Sequence, residues 1–448
     1  MFLPYYLCGV ALYLLSEIIL TGLSGVCINK MKQSIKQQIT FSGAVKEAVM
    51  CLLIIGVLLT MDRCLENMYV YFLYDTGKWY LDLFMSFYLH AHRWFVWIIP
   101  AGFVCWIVWK LWKKETISIG VLGQIAAAYG LYLITSLLAE KKFPERWVNM
   151  TLYPMVMILF VTMACSTVRG AKRFFRVGTD VYIVLMALNA LFTVFPSLYH
   201  LFTDWEPDYF LSADNLTGFP MMFGAMLALM DEKFNRKKAR CRIYMGLFFL
   251  NQVLIHCISA LIAAMILGIY LLLPMVRKVM DKISLAGYTG IATGIGAVLC
   301  SMAWVYFRNS KVYALLDPVL NVLKSLYIRF IIWRGVLKQV LKKPIFGYGL
   351  GLQAEFFKRP RTSLYYNAHN GFLQTLYEGG LVTMAGVMWV LFSTSRKLKA
   401  CEDRSLGSLF AVILFADLIM MLGAITSWFT WYPVFVIAQV GAVVVDSY

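Results

Sequence analysis

Two side chains carry the most specific chemistry in this chain. His369 stands in Tyr365-Tyr366-Asn367-Ala368-His369-Asn370-Gly371-Phe372-Leu373 and is one of only five histidines in 448 residues; Arg329 precedes it in the same region. A neutral imidazole, titrating near ~6.5, can accept a proton from a hydroxyl. A guanidinium presents a planar fork of donors that suits phosphate oxygens. Asn370 could orient the imidazole or a bound substrate. The competing reading of His369 is an interfacial hydrogen-bonding residue that caps the next helix.

The elements around these residues have readable signals. Residues 323–342 are predicted as an amphipathic helix that ends at Lys343-Pro344, where proline cannot continue it. At ~100° per residue, Leu326, Trp333, Val336, Leu337 and Val340 fall within ~80° of Arg329. Lys324, Arg334, Lys338 and Lys342 gather on the other side. Arg329 is thus an arginine on an apolar face, either snorkelling to the interface or buried against an anion, and this helix offers no nearby carboxylate to be that anion. Ile345-Phe346-Gly347-Tyr348-Gly349-Leu350-Gly351 follows. It lacks the Gly-Lys-Ser/Thr of a nucleotide loop, so its glycines are expected to let backbone pass close to a ligand or an adjacent helix. Lys358-Arg359-Pro360-Arg361 then adds a rigid cationic turn before the histidine.

The rest of the chain must hold this segment at a membrane. With 61% hydrophobic and 15% charged residues and a mean hydropathy of +0.71, the chain has too little polar surface for a soluble globule of its size. Apolar runs near the ~20 residues that cross a bilayer recur throughout. They predict an all-α polytopic bundle of 12–14 spans: 2–20, 44–61, 94–112, 117–138, 151–168, 181–198, 218–230, 243–256, 258–273, 284–306, 381–395, 406–427 and 431–445. The first is expected to be a retained helix, since no basic leader or small-residue cleavage site accompanies it. A net charge of +17 comes from loop clusters, such as Arg169/Lys172/Arg173/Arg176 and Arg396/Lys397/Lys399, which points to membrane sidedness rather than to nucleic acid. By the positive-inside rule those clusters are cytoplasmic. The expected organisation is transmembrane helices over 1–306, a large extracytoplasmic loop over 307–380 and C-terminal transmembrane helices over 381–448. That loop carries eleven basic residues that the rule would not place there. The ten cysteines have no paired or zinc-like spacing and are expected to be reduced packing residues, with no cofactor implied.

The ordered set Arg329, Trp333, Pro344-Ile345-Phe346-Gly347-Tyr348-Gly349-Leu350-Gly351, His369-Asn370-Gly371-Phe372-Leu373 and Glu378-Gly379-Gly380-Leu381 resembles the signature of the bacterial O-antigen ligase and polysaccharide repeat-unit polymerase superfamily. The resemblance implies a glycosyltransferase C-like membrane enzyme of the bacterial cytoplasmic membrane. Its donor would be an undecaprenyl-pyrophosphate-linked oligosaccharide and its acceptor a saccharide hydroxyl, with membrane lipid, polysaccharide export and chain-length proteins as further partners. It makes His369 the base and Arg329 the pyrophosphate clamp, with Arg334, Lys338, Arg359, Arg361, Asn370 and Glu378 as substrate contacts. Glu378 would otherwise favour the positive end of a helix starting at 381. Many relatives carry an arginine-bearing break where this chain has Ile255-His256-Cys257-Ile258-Ser259. Either His256 and the basic loop residues compensate, or the donor is held differently.

A polymerase of surface polysaccharide is the activity expected first, a ligase second and a lipid-linked oligosaccharide flippase third. Asp204, Glu206, Asp208 and Asp214 form an acidic cluster whose oxygens could hold a divalent cation. Pro207 and the neighbouring aromatics favour an ordinary interfacial turn, and no metal is assigned.

Overall fold

The computed structural model describes residues 41–61, 79–115, 121–141, 143–201, 211, 218–236, 238–255, 257–306, 309–312, 314, 316–317, 324–350, 368–423 and 434–437. Among them the chain is all-α and contains no strand. The helices are α1 (Phe41–Met61), α2 (Trp79–Trp112), α3 (Leu122–Glu140), α4 (Glu145–Ala164), α5 (Val168–Val194), α6 (Gly218–Asn235), α7 (Lys238–Leu254), α8 (Ile258–Leu272), α9 (Pro274–Met280), α10 (Leu285–Tyr306), α11 (Lys324–Val340), α12 (Gly371–Ala400) and α13 (Arg404–Met421). Six of the described helices are long and apolar enough to cross a membrane, and α8 with α9 form a pair bent by 107°. Helices are what apolar runs of this length form in hydrocarbon, where each backbone amide must find its partner inside the segment. Large apolar side chains cover the outside, Trp97 at 77% and Val253 at 73% exposure among them, as expected of a lipid-facing surface.

The predicted spans agree with these helices in place but not always in extent. α5 begins inside the basic cluster, because Arg173 and its neighbours Arg169 and Arg176 converge on Glu47 of α1 and hold that turn against the bundle. The span predicted at 381–395 lies within a helix that already starts at Gly371. Predicted span 2–20 lies outside the described residues, as does most of 431–445.

The α12 helix organises the half of the molecule that matters here. It packs against α3, α10, α11 and α13. Gly386 lets α3 come close, since a Cβ there would meet Leu131 at 2.8 Å. Polar pairs link the same two helices, Tyr132 donating to Thr375 at 3.0 Å and Thr135 meeting Thr383 at 3.2 Å. One large core runs through most of the bundle. A second, smaller cluster joins Cys300, Ala303 and Tyr306 of α10 to Phe330, Trp333 and Val336 of α11 and to Ala368, Leu373 and Tyr377. That cluster includes Ala368, the residue immediately before His369.

Opposite ends of α12 differ in character. The part of α12 beyond its break at Gly380, residues 381–400, alone rises about 30 Å at 1.5 Å per residue. At the far end lie the paired basic clusters: Lys233 with Asp403, Arg240 with Asp231 and Asp180, and Arg173 with Glu47. His369 is at the other end.

Candidate functional site

The α11 helix presents Arg329 and Trp333 one turn apart on one face, as the periodicity predicts, and Trp333 is fully buried. Arg329 is half-buried beside it. The buried arc is wider than a single apolar stripe, taking in Phe330 and Ile332 as well, because α11 lies between α10 and α12. For that reason Arg334, expected on the solvated side, is half-buried, whereas Lys338 is exposed.

Trp333 does more than pack. Its indole Nε1–H donates to the carbonyl of Ala368 at 3.0 Å. The N–H of the same residue donates to Gln374 Oε1 at 2.7 Å, and Gln374 Nε2 donates to Glu378 Oε1 at 2.7 Å. Both faces of the Ala368 unit are therefore gripped by side chains, one from α11 and one from α12. His369 follows directly with φ of +46°, a left-handed conformation that costs a non-glycine residue of order 1 kcal/mol or more and persists only when its neighbours hold it. Asn370 completes the corner. Its side-chain oxygen accepts from the N–H groups of Phe372 and Leu373, both at 3.0 Å, capping α12, and its amide donates to the carbonyl of Leu422 at 3.4 Å. Asn370 is 2% exposed, so it acts here as the cap that points His369.

The glycine turn after α11 closes on a break in α12. At Gly380 the helix leaves helical geometry, with φ 63° and ψ −161°. Such a break strands carbonyls on one side and N–H groups on the other. The turn supplies both partners: Tyr348 N–H donates to Tyr377 O at 2.9 Å and Gly349 N–H to Glu378 O at 2.8 Å, while Leu381 and Val382 donate to Pro344 O and Ile345 O at 2.8 and 3.2 Å. The approach needs bare backbone. A Cβ on Gly380 would lie 2.2 Å from Ile345 O, and one on Gly347, at φ +66°, would lie 2.6 Å from the Glu378 carbonyl. Tyr348 also stacks on Tyr377, with ring centroids 5.0 Å apart. The glycines thus serve close backbone approach to an adjacent helix, one of the two roles the sequence allowed.

The structure brings Arg329 and His369 together. Burial, reinforced by the Arg329 charge, pulls the imidazole down to about 4, so the ring is neutral at physiological pH. Glu378 stands two turns along α12, buried and bonded to Gln374, and reaches the histidine corner through that residue. Lys338 is exposed on α11 and outside this cluster. Arg359, Arg361 and His256, and the acidic group Asp204, Glu206, Asp208 and Asp214, lie outside the described residues. The described cysteines, Cys51, Cys105, Cys165, Cys241, Cys257, Cys300 and Cys401, are all unbridged. Sequence reasoning missed Gln374, whose only signal was its place four residues after Asn370 and four before Glu378.

No curated protein matches the chain. A family model described as O-Antigen ligase matches residues 243–388, a stretch that runs from α7 to the first half of α12 and contains Arg329, the glycine turn and the His369 corner. Over those residues the chain is similar to the O-antigen ligase family, which supports the resemblance to the O-antigen ligase and repeat-unit polymerase superfamily.

Proposed function

We propose that this chain polymerises oligosaccharide repeat units into a surface polysaccharide of capsule or O-antigen type, on the extracytoplasmic face of the bacterial cytoplasmic membrane. The donor is an undecaprenyl-pyrophosphate-linked oligosaccharide and the acceptor a hydroxyl of another saccharide chain, with residues 307–380 forming the extracytoplasmic catalytic region. The observation that supports this reading is the pairing of a neutral, rigidly held histidine with a half-buried arginine on an O-antigen ligase-type domain.

In the proposed step His369 takes the proton of the acceptor hydroxyl, whose oxygen bonds to the anomeric carbon as the bond from that carbon to the pyrophosphate oxygen breaks. The electron pair leaves with the carrier pyrophosphate, and Arg329 stabilises the charge that develops on it. Arg334, Arg359 and Arg361 add positive charge around the donor, and His256 is the substitute for the family arginine absent from that position. Asn370, Gln374 and Glu378 position the histidine. Because Arg329 contributes to the low basicity of His369, an anionic pyrophosphate lying against Arg329 raises that basicity again. The base is therefore strongest when donor is bound.

The activity is tested by giving the purified full-length protein a lipid-linked oligosaccharide and resolving the products on a gel. A ladder of lengths supports polymerisation. One shifted acceptor band would make the protein a ligase, and movement of the donor across a vesicle bilayer without transfer would make it a transporter.

A further inference from the structure

At the basic end of the bundle, remote from His369, lies a cavity of ≈ 250 Å³ between the turn after α9, the last turn of α12 and the start of α13. Asp281, Lys282, Ser284, Ser395, Lys399 and Arg404 line it. The acceptors there are already engaged: Asp281 accepts a hydrogen bond from the Tyr270 hydroxyl at 2.8 Å and faces Arg277 at 3.8 Å, and Asp403, beside Arg404, holds Lys233 and caps α13. The donors are not. Lys282, Lys399 and Arg404 form no ion pair among the described residues. Ser284 and Ser395 accept from the N–H groups of Gly287 and Ala286 at 3.3 and 3.0 Å, which leaves their own hydroxyl protons to donate. The positive ends of α10 and α13 open on the same space. A lining of three cations and two hydroxyl donors calls for an acceptor-rich anion, and a phosphate diester has that chemistry.

The surroundings decide its source. The bend of 107° turns α9 away from the axis of α8, so the short helix leading into Asp281 and Lys282 carries Met275, 84% exposed, and Val279, 61% exposed, next to Leu272 at 75%. Exposed apolar side chains on the helix that leads into a cationic cavity match an amphiphile, with its head inside and its acyl chains alongside. We propose that this cavity binds the headgroup of an anionic phospholipid from the adjoining leaflet.

The proposal is independent of the transfer chemistry and is tested on the full-length protein in detergent micelles. Native mass spectrometry counts bound lipid, and a thermal melt reads stabilisation, as dioleoylphosphatidylglycerol, dioleoylphosphatidylcholine or inorganic phosphate is added. The expected result is preferential retention of one phosphatidylglycerol. In the Lys282→Gln/Lys399→Gln/Arg404→Gln variant its affinity falls on the order of 100-fold, following the contribution of each basic residue to an anionic lipid. The Lys282→Arg/Lys399→Arg/Arg404→Lys variant keeps it, which separates lost binding from lost folding, and Lys113→Gln/Lys114→Gln leaves it unchanged. Equal retention of phosphatidylglycerol by the neutralised variant overturns the site. Equal stabilisation by inorganic phosphate alone overturns the lipid as its occupant.

Discussion

Replacing Gly380 with alanine should undo the docking of the glycine turn on α12. The residue has φ 63° and ψ −161°, a region that non-glycine residues enter at a cost of about 1–3 kcal/mol. The new Cβ would stand 2.2 Å from Ile345 O and 2.7 Å from Phe346 N, both backbone atoms that no rotamer change can move. The turn must retreat, which weakens the four backbone hydrogen bonds that close the break. At roughly 1 kcal/mol for each bond, added to the backbone strain, the loss is on the order of 5 kcal/mol, comparable with the whole margin of a marginally stable fold. Gly294→Ala is the control. It lies within α10 with nothing near its added Cβ and should be neutral or slightly stabilising. Thermal melts of both variants in detergent, followed by tryptophan fluorescence, would separate them, with Gly380→Ala melting many degrees lower and losing transfer. A Gly380→Ala protein that melts with the parent would refute the clamp.

Three other outcomes follow from the corner itself. Burial and Arg329 hold His369 near 4, so as pH falls the unfolded chain binds the proton first: the stability gained by the neutral ring is complete above ~6.5 and is lost as pH drops toward the folded value. The melting temperature of the parent should therefore fall more than that of His369→Gln between pH 7 and pH 4.5, and parallel curves would contradict the depressed basicity. Arg329→Gln should move His369 back toward the ordinary range, seen as a shifted pH profile for reaction with diethylpyrocarbonate, and should slow transfer on the order of 100-fold; an unmoved profile argues against their proximity. Asn370→Ala deprives the Phe372 and Leu373 N–H groups of their acceptor and should cost about 1 kcal/mol, while Asn370→Asp should retain most of that stability. A melt that is the same for alanine and aspartate would remove the capping role.

Much of this arrangement is local enough to be read from residue order. The apolar runs require helices, and the period of 3.6 puts Arg329 with Trp333 and Val336 on one face. Asn370 before an apolar run is a cap signal, although the sequence also allowed it to orient a ring or a sugar. What was hidden depends on partners far along the chain. The glycines of 347–349 advertise a close approach, but nothing local names Tyr377–Gly380 as the place approached, because backbone pairs with backbone irrespective of side chain. Gly379-Gly380 read as the start of a helix at 381; the helix instead begins at Gly371 and resumes past the break, since the turn satisfies the amides stranded there. Arg334 counted as solvated on a single-face projection and is half-buried because α11 has neighbours on two sides. The Gln374 bridge has only its helical spacing to Glu378 as a signal, and the cationic cavity joins the turn at 281–285 to the end of α12 and the start of α13, a juxtaposition that no periodicity encodes.

The most direct test of the central claim measures transfer from a lipid-linked oligosaccharide by purified His369→Ala and Arg329→Ala proteins, each shown to melt near the parent. The account predicts that both lose product formation by at least about 100-fold, with the arginine variant also requiring more donor. Full transfer by either folded variant would contradict it.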